Sequence, residues 1–153
     1  MLKDFTSPLP VVEKTDGMFK DCPQISDFSV DISSVVSSEG MFENDVRLVS
    51  FSSDLPTDTN ASKMFNNCKS LVSFTGSLAS ISSESKDIFS GCTSLVSFVS
   101  DLSSFDGCTV GELFSDSKNT LEHYEGDLNS LSDEFSVGSF VGFDRLSFFR
   151  GNV

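Results

Sequence analysis

Met64-Phe65-Asn66-Asn67-Cys68-Lys69-Ser70-Leu71-Val72-Ser73-Phe74 and Ile88-Phe89-Ser90-Gly91-Cys92-Thr93-Ser94-Leu95-Val96-Ser97-Phe98 are two copies of one phrase. Outward from them the first column extends to Met18-Phe19, Met41-Phe42 and Leu113-Phe114, at spacings of 23, 23, 24 and 25 residues. Nine residues after the first four of these Phe comes a second aromatic, at Phe28, Phe51, Phe74 and Phe98. In the fifth copy it is Tyr124, ten residues on. Ile25, Leu48, Leu71, Leu95 and Leu121 form an aliphatic column between the aromatics, and Ile32, Leu55, Leu78, Leu102 and Leu128 form another beyond them. A weaker column reads Val35, Ile81, Phe105 and Leu131 and fails at Asp58, after Pro56. Partial copies close both ends. Phe5, Leu9 and Val12 match Phe28, Ile32 and Val35, while Phe140, Phe143, Leu146, Phe149 and Val153 match Phe19, Cys22, Ile25, Phe28 and Ile32.

A unit of about 23 residues is too small to bury its own apolar face, so copies must stack and share a continuous core. The predicted fold is mainly β with short helical or 3₁₀ turns: a right-handed repeat solenoid with one parallel sheet and about 23–25 residues per turn. It forms a single domain, with a half repeat over 1–17, five repeats from about 18 to 138 and a half repeat over 139–153. Leu71–Thr75 reads as a strand that sends Leu71 and Phe74 into the core, with neighbouring strands ~4.8 Å apart. Gly76 or Ser77 then starts a turn. Ser85–Cys92 suits a helical turn, with Ile88, Phe89 and Cys92 at inward-facing spacings.

The Met64–Phe74 and Ile88–Phe98 phrases resemble the AFxxCxxL core of BspA-like leucine-rich repeats and the MFxxCxxL repeats of related surface proteins. The resemblance covers nearly the whole chain. It implies a curved leucine-rich-repeat solenoid, a binding or adhesion role, and a place at a bacterial, protist or viral surface. The family's I-x-I-P strand ending is replaced here by F-x-x-[DS]-L, with Pro kept only at Pro56. The Cys position is taken by Asp45, Ser117 and Phe143 in three copies.

Composition narrows the function classes. Phe (16), Val (14), Leu (13) and Ile (4) exceed what a disordered acidic chain carries, and 31 Ser are the other excess. Lys and Arg total 10 against 23 Asp and Glu, for a formal charge of −13 with no basic cluster. That argues against nucleic acid or an anionic membrane as a partner. No run approaches the ~18 apolar residues of a membrane span, and residues 1–8 lack the apolar stretch of a secretory signal.

Little in the chain reads as chemistry. No Ser sits in GxSxG, no glycine loop precedes a Lys, and His123 is the single imidazole. No catalytic residue, metal site or cofactor is predicted. Cys22, Cys68 and Cys92 share one repeat position. In-register turns hold their Cβ vectors parallel, which suits buried thiols better than a disulfide. Cys108 lies outside that column, in the Phe105–Cys108 stretch, and is the thiol expected to be exposed. Asp31, Asp54, Asp101 and Asp127 form an acidic column broken at Ser77, which reads either as a Ca²⁺ ladder or as Asx-type turns. Ser77 can serve in a turn but would interrupt a metal ladder.

The outward strand positions are the predicted binding residues: Val49, Ser50, Ser52, Val72, Ser73, Thr75, Val96, Ser97, Val99 and His123. They make a flat surface of small side chains, as fits a face that meets a protein or glycan ligand. The plainer reading is a solubility face on which Ser stacks without crowding. Phe148, Phe149 and Val153 place apolar positions at the last turn, so self-association through end repeats is a second partner class. The sequon Asn60-Ala61-Ser62 falls on a predicted loop.

Overall fold

The computed structural model describes residues 5–9, 11–55, 59–78, 81–82, 84–102, 109–128 and 140–151. Pro56, Asp58, Phe105, Cys108, Leu131 and Val153 lie outside the described residues, and so do the expectations placed on them. The strands are β1 (Asp27–Phe28), β2 (Ser50–Ser52), β3 (Ser73–Thr75), β4 (Ser97–Val99), β5 (His123–Glu125) and β6 (Phe148–Arg150). One four-residue helix, α1 (Val110–Leu113), precedes β5. All strand pairings are parallel and run in sequence order from β1 to β6. The fold is a parallel β-solenoid.

The register is the repeat made physical. Phe28 pairs with Phe51, Phe51 with Phe74, Phe74 with Phe98, Phe98 with Tyr124, and Tyr124 with Phe149. Each ring stacks on the next, at centroid distances of 5.5, 5.3, 5.0, 5.8 and 5.4 Å. The first aromatic column stacks in parallel, with Phe42–Phe65 at 5.6 Å and Phe65–Phe89 at 5.2 Å. Rings of the two columns meet edge-on, as between Phe51 and Phe65 (4.9 Å, 73°) and Phe74 and Phe89 (5.1 Å, 81°). Offset stacks and edge contacts are the favoured aromatic geometries, worth about 0.5–1.5 kcal/mol each beyond burial. Phe28, Phe42, Phe51, Phe65, Phe74, Phe89, Phe98 and Phe114 are all buried, together with the aliphatic columns.

The strands are shorter than the repeat predicts: the regular ladder covers Ser73–Thr75 rather than Leu71–Thr75. The cause is a recurring fork ahead of each strand. The Val49 carbonyl accepts both the Val72 and Ser73 N–H groups, and the Val72 carbonyl accepts those of Val96 and Ser97. Two successive N–H groups on one acceptor bend the chain, so the ladder starts after the bend.

On the opposite side the turns are bounded by left-handed residues at two fixed positions. Gly17, Gly40, Lys63 and Asp87 occupy the first (φ 59°, 59°, 56° and 55°), and Asp21, Asn44, Asn67 and Gly91 the second (φ 57°, 64°, 61° and 78°). Short i→i−3 bonds close these turns, for example Ser90 N–H to the Asp87 carbonyl (3.3 Å) and Cys92 N–H to Phe89 (3.0 Å). Backbone rungs join successive turns, from Phe19 N–H to Met41 (2.8 Å), Phe42 to Met64 (2.9 Å) and Phe65 to Ile88 (2.9 Å). A side-chain ladder runs beside them, with Asn67 Nδ2 donating to Asn44 Oδ1 (3.2 Å) and Asn44 Nδ2 to Asp21 Oδ1 (3.1 Å). In the fifth copy the turn becomes α1. Its Thr109 cap accepts the Glu112 N–H, and the Glu112 carboxylate accepts the Thr109 N–H, a capping box.

Lys63 holds a left-handed conformation that glycine takes in the two preceding copies, and a Cβ there costs energy that glycine avoids. Lys63→Gly is expected to raise unfolding stability by about 0.5–1 kcal/mol, whereas Gly40→Ala lowers it by a similar amount. Chemical denaturation midpoints at unchanged m-value check both.

Candidate functional site

The sheet's open face is where the structure gathers the predicted binding residues. Pairing aligns Ser50, Ser73, Ser97 and His123 in one row, and Ser52, Thr75, Val99 and Glu125 in the next. Val49, Val72 and Val96 lie at the fork just before their strands. The bend there leaves Val49 41% and Val72 39% exposed, so these two valines belong to the surface although they sit two residues from a buried Phe.

The face has three zones. At β1, Asp27 accepts hydrogen bonds from Ser26 Oγ (2.6 Å) and Ser50 Oγ (2.5 Å), and these hydroxyls hold its carboxyl below the ordinary range. Across β2 to β4 the face is Ser, Thr and Val. At β5 and β6 it turns aromatic and charged. The His123 ring lies flat on Phe148, with centroids 4.3 Å apart and planes 3° from parallel. Around this pair Arg150 meets Glu125 (3.1 Å), Arg145 meets Glu122, and His123 Nε2 lies 3.7 Å from Glu125. Phe148 is 44% exposed.

Phe148 belongs to none of the aromatic columns. It stands one position ahead of the column residue Phe149, so strand alternation turns it outward onto His123. The adjacent pair Phe148-Phe149 was the available signal: in a strand, one of two neighbouring rings must face outward.

Two members of the acidic column accept backbone N–H groups where the strands end. Asp31 Oδ1 accepts the Ser33 N–H (2.9 Å) in its own turn, which lowers its carboxyl's affinity for a proton. Asp54 reaches up one turn and accepts the Ser77 N–H (2.9 Å), at the very residue that breaks the column. Asp101 and Asp127 also have partners. Among the described residues, no group of three His, Cys, Asp or Glu is placed to hold a metal ion.

Cys68 and Cys92 are buried free thiols. Each is also a hydrogen-bond donor, Cys68 Sγ to the Phe42 carbonyl (3.1 Å) and Cys92 Sγ to that of Phe65 (3.2 Å). Burial pushes the Cys68 thiol well above its ordinary range and that of Cys92 up to about 12. Cys22 is partly exposed. In the sequon, the Asn60 side chain accepts the Ser62 N–H (3.0 Å) and Ala61 is buried. On the turn side, a groove of about 390 Å³ opens between Lys86–Ser90 and α1, lined in part by Phe89, Glu112 and Ser115.

No family model, curated protein or solved structure matches this chain. No helix among the described residues is long and apolar enough to cross a membrane.

A buried thiol with a raised pKa supplies almost no thiolate, the reactive form. In the native protein Cys22 is therefore expected to alkylate at least tenfold faster than Cys68 or Cys92 at pH 8. Peptide mass mapping after timed iodoacetamide exposure reads the order. Equal rates would contradict the burial described.

Proposed function

We propose that this protein is a non-enzymatic binding or adhesion module that presents the open sheet face to a protein or glycan at a surface. The observation that carries this reading is the register-aligned face itself. Small side chains of β2 to β4, and charged or aromatic ones of β5 and β6, stand outward in continuous rows, while the inward aromatic and aliphatic columns keep their type. A solenoid face of this form gives an extended contact area in which many modest contacts add. The resemblance to BspA-like surface repeats supports the same reading. The His123–Phe148 stack, ringed by Glu and Arg, supplies rigid contact chemistry that the Ser-rich centre lacks.

A second reading has an observation of its own. Phe148 and Phe149 (44% and 37% exposed) and Val141 are exposed at the β6 end, while Val11 and Met18 are exposed at the β1 end. Among the described residues β6 is an edge strand, paired on one side with β5. On this reading the protein is a building block whose ends stack in a surface or virion assembly.

The triple substitution Val72→Lys, Thr75→Lys and Val96→Lys is expected to abolish binding, at least a hundredfold, to whatever a glycan array and a panel of purified surface proteins identify. The circular dichroism spectrum should stay unchanged. Full binding by a folded triple variant would remove the face from the assignment. For the second reading, sedimentation velocity over a hundredfold concentration range is expected to show self-association that Phe149→Asp suppresses. A strict monomer throughout would sink it.

A further inference from the structure

The Cys column follows a hydrogen-bond rule. Cys68 Sγ donates to the Phe42 carbonyl, Cys92 Sγ to the Phe65 carbonyl, and Ser117 Oγ to the Cys92 carbonyl (3.1 Å). All three donors are buried, and each bond ties one turn to the turn before it. Three members of the column thus carry a proton to a carbonyl of the preceding turn, at the Phe position for the two thiols and at the Cys position for Ser117.

Asp45 occupies this position one turn before Cys68. It has no exposed surface. Its Oδ1 accepts the Arg47 N–H (3.3 Å), while Oδ2 is buried with no hydrogen-bond partner. None of the ion pairs among the described residues involves it. By the pattern of the two thiols, the acceptor that corresponds to Asp45 is the Phe19 carbonyl. That carbonyl takes the Cys22 N–H (3.1 Å), just as the Phe42 carbonyl takes the Asp45 N–H (2.9 Å) and the Phe65 carbonyl the Cys68 N–H (3.0 Å). An ionised carboxylate only accepts hydrogen bonds, whereas a carboxylic acid can donate one.

We propose that Asp45 binds a proton in the folded protein at mildly acidic pH, and that in this neutral form its Oδ2–H takes the place of the thiol of neighbouring turns as the inter-turn donor, so that the solenoid tightens when the proton binds. The surroundings agree. Burial pushes the Asp45 carboxyl up to about 6, against the opposing pull of the Arg47 and Leu48 N–H groups. The titratable groups on the turns above and below at this position are the thiols of Cys68 and Cys22, which supply no positive charge. The Cys68 thiol is raised first by its own burial and further by Cys92 and Asp45. Charged neighbours on the adjoining turns are engaged or face outward: Glu43 pairs with Lys20 (2.7 Å), Asp21 accepts from Asn44, and Arg47 is exposed.

The sign follows from linkage. The folded state holds the Asp45 proton more tightly than the unfolded chain, whose carboxyl titrates near 3.8. Its stabilising contribution is therefore complete below about pH 4 and lost as pH rises to about 6. Asp27, Asp31 and Glu112, whose carboxyls are lowered, act in the opposite direction and only from about pH 4.5 downward.

Denaturant unfolding of the full chain at pH 4.5 and 7.5 tests this. The unfolding constant of the wild type is expected to be about thirtyfold larger at pH 7.5 than at pH 4.5. Asp45→Asn and Asp45→Cys, which carry a donor at every pH, should lose that dependence and exceed the wild type in stability at pH 7.5. A carbon-13 titration of the Asp45 carboxyl gives a readout that no variant's folding can obscure, with a midpoint expected near 6. A midpoint at or below 4, or a wild-type pH slope that survives in both variants, overturns the proposal.

Discussion

Everything in this molecule depends on one constraint: a ring in each turn must lie over the ring of the turn before it. Parallel pairing sets the strand spacing at ~4.8 Å, and the aromatic columns sit at 5.0 to 5.8 Å on the sheet side. The rings are therefore offset as they stack. The second column, packed edge-on against the first, prevents them from sliding. A slip of one residue would turn every Phe of a strand outward, so the ring contacts between the two columns, edge-on in the central turns and tilted at the first, hold the register along the array. The backbone ladders on both sides then add small increments to a geometry the rings already impose.

From this constraint the division of labour follows. The aromatic and aliphatic columns keep their type, and variation falls on the fork, the outward strand positions, the turns and the buried Cys column, where Asp45, Ser117 and Phe143 stand. The open face is thus a regularly spaced surface. Its middle is small and flat, and its β5–β6 end carries the aromatic and ionic groups. These are arranged around a stack, His123 on Phe148, that exists only because β6 pairs with β5 in this register.

How much of this was legible depended on whether a residue repeats. The aromatic and aliphatic columns read directly from spacing, and pairing confirmed the Phe28 to Phe149 series member by member. The left-handed turn positions did not read. Gly, Lys and Asp share the first and Asp, Asn and Gly the second, so identity hides a common conformation. α1 is confined to one copy, and its Thr109–Glu112 cap lies outside the repeat pattern. The outward positions of the face were legible, but the His123–Phe148 contact was not, because it joins residues 25 apart through a strand whose outward member stands off the column. Asp45 read only as an irregular member of the Cys column. Its significance comes from burial and from the bonds its neighbours make.

The passage from the fourth turn to the fifth differs from the others. The Phe89–Phe114 stack widens to 6.4 Å and tilts to 28°. Where earlier turns pass backbone rungs upward, Gly91 N–H goes instead to the Asp116 carboxylate (2.8 Å). Strand register lengthens there too, from Ser97 to His123. In a nearest-neighbour array, cooperativity is only as strong as the coupling between adjacent units. This interface is a natural domain wall: partial unfolding that begins at the carboxyl end has a place to stop, leaving the tightly stacked turns from Phe19 to Phe89 as a block that melts on its own.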